Sequence, residues 1–250
     1  MSMKKTILLY IMIMSVCALA HAQNLDFFDP TRQTKKVEEY RFHVDYRIEA
    51  GYIQQNHRSD NLNYPNMYLH GGRIGASFDF ALPLHFSIQT GLYYALTYGQ
   101  NEQHFAPVSA EDIYANTNFI RHRVMEHQLL IPVRAYYTFT LKGQWRMFFY
   151  GGPQLQIGLA SRDNVENRLT PFTTDWLHSI GFPIDPYDKY QIRELGRVNV
   201  QMGVGGGFEW DRYRIQAGYD FGLNNLISTP SMSSQFMWEW TWFAGFCFKF

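Results

Sequence analysis

The feature that most constrains this chain is a long, strict alternation of apolar and polar residues. From Tyr40 the sequence reads YRFHVDYRIEAGYI, in which every second residue is apolar and the residues between are charged, polar or small. Side chains on a β-strand point alternately to opposite faces, whereas a helix would mix the two sets on every side. The segment is therefore predicted to be a strand with one wholly apolar face.

Seven further segments repeat this pattern. The eight predicted strands are 40–53, 73–80, 86–98, 128–139, 145–159, 198–208, 213–223 and 238–250. Most exceed the roughly five or six residues of an ordinary strand and match the roughly nine to eleven needed to cross a bilayer at a tilt. The lengths thus favour strands that span a membrane.

The connections between these strands alternate in length. Short turns follow the second, fourth and sixth strands, at 82–84, 141–144 and 210–212. Long polar segments follow the first, third, fifth and seventh, at 53–72, 99–123, 161–197 and 224–236. Short turns at one end and long loops at the other are typical of outer-membrane barrels.

The apolar face is aromatic at its two ends and aliphatic in between. One end holds Phe42, Phe86, Phe139, Trp145, Phe208, Tyr213 and Phe248, and the other Tyr52, Tyr94, Tyr98, Tyr219, Trp238 and Trp240. Such girdles mark the two membrane interfaces, whereas a soluble β-sandwich or lipocalin-like barrel would bury its apolar face. We predict an all-β fold for residues 39–250: an eight-stranded antiparallel transmembrane β-barrel with short periplasmic turns and long extracellular loops.

The first residues resemble an export signal. Two lysines precede an apolar stretch at 7–16, and small residues stand at 20 and 22. The stretch is shorter than the roughly 20 residues of a membrane-spanning helix, which disfavours an uncleaved anchor. We predict a signal peptide at 1–22 that is cleaved after Ala22, a periplasmic lead-in at 23–38, and a location in the bacterial outer membrane.

The chain ends in MWEWTWFAGFCFKF, with aromatics at alternate positions up to the last residue. In water this strand would be a hazard for aggregation, but facing lipid it is favourable. A terminal Phe preceded by alternate aromatics also resembles the signal that such barrels offer to the barrel-insertion machinery. We predict this role for Phe250, Phe248, Phe246 and Trp242; the alternative is that Phe250 merely ends a strand.

Several stretches resemble the PorT-like outer-membrane β-barrel family of Bacteroidetes-type bacteria. They are LLIPVRAYY, FFYGGPQLQIGL, GVGGGFEW and YDFGLNNL, which follow one another in order between 129 and 226. The resemblance covers the whole mature chain and implies an eight-stranded barrel. It implies no set of catalytic residues; some members resemble accessory parts of a secretion system, and the fold alone does not disclose a role.

The polar face of the strands would point into the barrel. Eight strands leave an interior just wide enough for side chains to fill. The inward charges are nearly balanced in sign, which favours a cross-linked network over a polar conduit. The predicted network consists of Arg41, Asp45, Arg47, Glu49, Arg73, Asp79, Arg134, Arg146, Arg214, Asp220 and Glu239.

No residue pattern indicates a metal, cofactor or catalytic site. His122 and Glu126 would share one face of a strand and His127 the other, so the three cannot converge on a metal ion. GVGGGFEW lacks the lysine and the helix of a phosphate-binding loop. The candidates for a nucleophile–base pair lie near the outer rim, where we predict ordinary solvated loop residues: His70, His122, His178, Ser161 and Asp163.

The expected function is therefore that of a non-enzymatic envelope protein. It would be structural, binding or secretion-accessory, and would act through its outer loops or its periplasmic rim. The alternatives are a lipid-modifying or proteolytic outer-membrane enzyme with loop-borne residues and, less favoured, a small-solute channel. A formal charge of zero argues against nucleic acid. The expected partners of this monomer are outer-membrane lipid, the insertion machinery and an envelope protein, and loop 161–197 either folds over the mouth or presents a binding surface.

Overall fold

The computed structural model describes residues 43–59, 66–104, 119–141, 144–169, 171–179, 184–192, 195–228 and 236–250. The predicted signal peptide and periplasmic lead-in lie outside these residues, as do Arg41 and Phe42. Within the described ranges, no helix is long and apolar enough to cross a membrane.

Most of the described residues are in strands. The elements are β1 (Val44–Ser59), β2 (Met67–Ala81), β3 (Phe86–His104), β4 (Phe119–Thr140), β5 (Trp145–Arg168), α1 (Pro171–Ser179), β6 (Tyr187–Asp188), β7 (Val198–Trp210), β8 (Tyr213–Gly222) and β9 (Met237–Lys249).

Eight of these strands close into an antiparallel ring. Each long strand pairs with its neighbour along the chain, and the last strand, β9, pairs with β8 on one side and β1 on the other. The two-residue β6 adds only a short pairing, at Arg162 and Asp163 near the end of β5. The predicted eight-stranded antiparallel barrel is confirmed. Its short turns share one end, called here the inner end, and the opposite end is the outer end.

The two faces of the wall divide as the alternation predicts. Ile74 and Ile215 point outward and are 57% and 63% exposed, whereas Gln201 and Arg214 point inward and are buried. So many large apolar side chains on one continuous surface would be unfavourable in water and are stabilised by lipid. Aromatic contacts mark both ends of this surface: the rings of Trp145 and Trp210 stack 6.0 Å apart at the inner end.

The outer ends of the strands contradict the predicted loop boundaries. Loops were predicted at 53–72, 99–123 and 161–197, yet β1 continues to Ser59, β3 to His104 and β5 to Arg168, and β4 already begins at Phe119. Beyond the apolar band of the membrane, the outward face of each strand meets lipid headgroups and water and carries polar side chains. The apolar–polar alternation that marks a lipid-facing strand therefore disappears although the strand continues.

An irregularity in β5 changes which residues face inward. His127 on β4 pairs with Ala160, but the next residue, Gln128, pairs with Gly158, so β5 has one extra residue at this point. A β-bulge of this kind reverses the alternation beyond it. Ser161 and Asp163 consequently face the interior.

Candidate functional site

The inner half of the interior contains a closed cycle of ion pairs. Arg47 Nε lies 2.7 Å from Asp79, and Arg47 also lies 3.0 Å from Glu209. Arg214 contacts the same two carboxylates, at 3.0 Å from Asp79 and 2.8 Å from Glu209. All four side chains are buried. Each charge therefore has two opposite neighbours, which is the arrangement that compensates best for the loss of water.

Further ion pairs lie on either side of this cycle. Towards the inner rim, Asp45 pairs with Lys249 at 2.7 Å and Arg146 pairs with Glu209 at 3.2 Å. In the middle of the barrel the ion pairs are Arg73 with Glu49 and Arg134 with Asp220. Arg73 also lies over the ring of Phe243, 3.5 Å from its centroid.

Inward-facing aromatic rings fill the space around these charges. Tyr136, Phe148 and Tyr150 pack against one another inside the barrel. The hydroxyl of Tyr150 lies where a Cβ on Gly205 or Gly218 would be, at 2.2 Å from each built position, so glycine is required there. A cavity of about 10 Å³ remains mid-barrel between Arg73, Arg134 and these rings, which is room for about one water molecule.

The outer half of the interior is built differently. Glu239 Oε1 accepts hydrogen bonds from Gln55 at 2.9 Å and Gln201 at 3.1 Å, and Oε2 accepts one from Gln156 at 3.0 Å. His57 Nε2 lies 3.5 Å from the same carboxylate. Glu239 is buried and faces inward, and among the described residues no arginine pairs with it. Amide donors and a histidine stabilise it instead.

Two polar pairs occur where we predicted solvated loop residues. His122 Nδ1 lies 3.0 Å from Asp163, and Lys189 lies 3.6 Å from the same carboxylate. Ser161 donates a hydrogen bond of 2.8 Å to Glu126. His122, Ser161 and Asp163 are buried. The prediction of solvated loop positions is therefore wrong for these three residues, because β4 and β5 continue past the membrane and the bulge turns Ser161 and Asp163 inward.

The other histidines named from the sequence lie outside the interior. His70 and His127 face outward at the outer aromatic girdle, where their Nδ1 atoms lie 2.5 Å from the hydroxyls of Tyr52 and Tyr94. His178 is exposed on α1. His122, Glu126 and His127 do not converge, as the alternation predicted, and the described part of the chain contains no group of three or more metal-ligating side chains placed to hold an ion.

The described parts of the segment between β5 and β7, α1 and residues 184–192, form what we call the cap. Leu177 of α1 packs with Ile120 of β4 and Ile184 of the cap in a buried cluster. Tyr190 enters the barrel so closely that a Cβ on Gly158 would lie 2.2 Å from its ring. Burial raises the pKa of the Tyr190 hydroxyl, and the nearby Glu126 and Glu239 carboxylates raise it further. The cap thus covers the inward faces of β4 and β5 at the outer end.

The residues of the predicted assembly signal lie on the outward face of β9. Trp242 and Phe246 are 45% and 49% exposed, and Phe250, at 67%, is more exposed than either. The ring of Phe250 packs edge-on against Phe248 at 5.2 Å, and its backbone amide donates to the Tyr46 carbonyl at 3.1 Å. Among the residues that the structure describes, Phe250 therefore contributes one backbone hydrogen bond and one ring contact to the folded barrel.

Sequence reasoning missed several members of the interior network. On β7, Glu209 belongs to the same inward-facing set of alternate residues as three glycines. On β4, Glu126 belongs to the same inward-facing set as Gln128. The same alternation could have identified both. The alternation could not have identified His57 or Lys189. His57 lies beyond the predicted end of β1, and Lys189 is in the cap.

Comparison with known proteins finds several solved structures of limited similarity. Among solved structures, the chain is similar to neisserial surface protein A, NspA, at 12% identity and a TM-score of 0.44, over 83% of this chain and 99% of that one. It is similar to Ail, the attachment invasion locus protein of Yersinia pestis, at 12% identity and a TM-score of 0.40, over 83% and 99%. It is also similar to OprG of Pseudomonas aeruginosa, at 9% identity and a TM-score of 0.39, over 84% of this chain and 97% of that one. No curated protein shows a significant match.

A protein-family model matches most of the chain. The model is described as the outer membrane protein beta-barrel domain, and it matches residues 33–228. The matched range includes every strand from β1 to β8. The chain belongs to the outer membrane protein beta-barrel domain family.

Proposed function

We propose that this protein is a non-enzymatic binding component of the bacterial outer membrane that acts through surfaces at the ends of its barrel. The observation that carries the proposal is the filled interior. Ion pairs, amides and aromatic rings occupy the barrel from Asp45 at the inner rim to Tyr190, the cap residue that enters the barrel at the outer end. An eight-stranded barrel packed in this way has no lumen in which to pass or bind a solute.

The cap is the preferred binding surface. Trp176 is 48% exposed on α1, while Leu177 beside it is buried in the cluster that fixes the helix to β4. An exposed tryptophan on a rigid support is the kind of side chain that dominates protein–protein interfaces. The inner end offers Leu84, which is 67% exposed in the turn between β2 and β3, as the alternative contact for a periplasmic partner. The PorT-like resemblance suggests a secretion-accessory role as the more specific form of this proposal.

Export and assembly complete the proposal. Residues 1–22 would direct export and be cleaved after Ala22, and the aromatic end of β9 would engage the insertion machinery. The folded protein would then act as a monomer surrounded by outer-membrane lipid, and would bind one further envelope protein.

In-cell photo-crosslinking tests where this protein is bound. A photoreactive amino acid is placed at Trp176 in one strain and at Leu84 in another, and at the lipid-facing Ile215, which is 63% exposed, as a control. We expect a protein adduct of defined mass from Trp176 and none from Ile215. Adducts from Leu84 alone would move the binding surface to the periplasmic rim. The absence of adducts at both ends would contradict the proposal.

The second candidate is an enzyme, and the His122–Asp163 contact of 3.0 Å favours it. A histidine oriented by a carboxylate is the usual arrangement of a general base. Lys189 near Asp163 and the enclosing cap instead favour a structural ion pair. We expect His122→Ala to leave the deletion-complementing activity of the intact protein unchanged in cells. Loss of a lipid-modifying or proteolytic activity in this variant, with normal folding, would favour the enzyme.

A further inference from the structure

The outer ends of β4 and β5 carry a basic outward surface. Arg121 and Arg123 on β4 alternate with the buried residues Ile120, His122 and Val124. Arg162 and Arg168 lie on the outward face of β5. The acids on the same face of β3 and β5 are Glu102 and Glu166. Asp188 of β6 lies opposite Arg162, but its carboxylate accepts hydrogen bonds from backbone amides of the cap and of Ser161. Four guanidinium groups thus face three carboxylates, one of which is already engaged by backbone donors.

The arginines are not equally engaged. Arg121 pairs with both glutamates, at 2.7 Å from Glu102 and 3.1 Å from Glu166. Arg123 shares Glu166 with it, at 3.2 Å. Arg162 forms no ion pair with any residue that the structure describes. Arg168 likewise forms no ion pair with a described residue, and its guanidinium lies over the ring of Phe119, 5.8 Å from the centroid. The excess positive charge therefore lies on Arg168 at the end of β5 and on the pair Arg123 and Arg162.

These two arginines are neighbours across the β4–β5 pairing. Arg162 lies opposite Met125, and Arg123 lies opposite Asn164. Both arginines point outward, so they are diagonal neighbours, whose backbones lie about 7–8 Å apart. That separation allows two extended guanidinium groups to converge on one anionic group.

The height of the pair relative to the membrane follows from β4. Its lipid-facing run extends from Tyr137 to His127, which pairs with Tyr94 at the outer girdle. A tilted strand of that length spans about 25 Å, the height of the apolar band of an outer-membrane barrel. Arg123 lies about 10 Å further out on the same strand. At this height the surrounding molecules are lipid headgroups.

The geometry points to a binding site at Arg123 and Arg162 for the phosphate groups of a phosphorylated glycolipid of the outer leaflet. A guanidinium presents paired donors that match two phosphate oxygens, and an arginine without an acidic partner has those donors free. The aliphatic surface directly below, from Leu129 to Val133, would contact the acyl chains of the same molecule. The site recognises headgroup and chains together.

The test uses the purified full-length protein in detergent micelles, titrated with diphosphorylated lipid A and followed by native mass spectrometry. The parallel probes are dephosphorylated lipid A with the same acyl chains and phosphatidylglycerol. The double variant Arg123→Gln/Arg162→Gln removes the site. Arg212→Gln is the matched control, because Arg212 is an exposed arginine in the turn between β7 and β8 at the inner end.

We expect the double variant to bind lipid A about 30-fold more weakly than the unmodified protein, since each basic residue at an anionic lipid surface contributes about 1 kcal/mol. Arg212→Gln should bind normally, and added salt should weaken binding of the unmodified protein. If the double variant folds poorly on an unboiled gel, Arg162→Gln alone replaces it, with an expected loss of about fivefold. Equal binding by variant and unmodified protein, or equal binding of the dephosphorylated lipid or of phosphatidylglycerol, would overturn the assignment.

Discussion

Replacing Arg214 with Met removes one of the two cations of the inner cycle. Asp79 and Glu209 then share Arg47, which lies 2.7 Å from the first and 3.0 Å from the second. Glu209 also keeps Arg146, 3.2 Å away at the inner rim. The cycle itself is nevertheless left with one cation between two buried acids, so its negative charge is only partly compensated. The Arg214 guanidinium also lies over the rings of Tyr136 and Phe148, 5.1 Å and 4.7 Å from their centroids. Methionine loses these cation–π contacts but leaves an apolar side chain of similar length against the same rings.

The size of the effect follows from the burial of the cycle. Breaking a buried ion pair by removing one partner costs about 3–5 kcal/mol, because the remaining charge is no longer compensated. Arg47 still compensates part of the charge here, so we expect the free energy of unfolding to fall by about 3 kcal/mol. The loss should appear as lower stability and not as altered permeability.

The measurement is reversible urea unfolding of the protein in lipid vesicles, followed by tryptophan fluorescence and by the folded band on unboiled gels. Arg212→Met is the control, since Arg212 is exposed, and it should change the free energy of unfolding by less than about 0.5 kcal/mol. Adding Glu209→Gln to Arg214→Met removes the excess negative charge and should recover at least half of the loss. The reasoning is refuted if Arg214→Met costs less than about 1 kcal/mol, or if the double variant is no more stable than the single one.

Two other predictions concern assembly and transport. Deleting Phe250 should slow or prevent insertion into the outer membrane in cells. The free energy of unfolding of barrels refolded in vitro should change by less than about 1 kcal/mol, because the ring makes few contacts with the described residues in the folded state. Phe250→Tyr should insert normally, and a normal insertion rate for the deletion would show that Phe250 only ends a strand. The purified protein should give no steady conductance in planar bilayers, because the mid-barrel cavity is about 10 Å³ and holds about one water molecule. Stable single-channel current steps that change in the Arg214→Met variant would show an open interior.

The sequence was most informative where lipid and barrel interior lie on opposite sides of the same strand. There the alternation predicted the number of strands, their direction and the face of each residue, as Ile215 and Arg214 on β8 show. Lipid imposes an apolar outward face, and a polar inward face then stands out by contrast. The inner-end turns were predicted as well, since three short breaks, one with a proline and two with polar residues, interrupt the alternation.

Aromatic residues made the alternation ambiguous at the start of β5. Phe148 and Tyr150 interrupt the alternation at the start of β5, since an aromatic ring fits the lipid-facing set as readily as the inward one. In the structure both face inward. The signal that could have placed them lies on other strands: Gly205, Gly207 and Gly218 face them and leave the space that their rings occupy. Such complementarity between strands is not visible until their register is known.

The outer ends of the strands, above the outer aromatic girdle, distribute polar and apolar residues differently from the rest of the barrel. On β4 below His127 the inward positions are mostly polar and the outward positions mostly apolar, whereas above it Ile120 and Val124 face inward and Arg121 and Arg123 face outward. This inversion indicates that lipid headgroups and water replace acyl chains outside the strand, and that the cap packs an apolar cluster against Ile120 inside it, as in a soluble protein. A cap built like a soluble domain is stable without lipid and can present a fixed surface such as that around Trp176. Binding function is therefore expected above the inversion, and structural function below it.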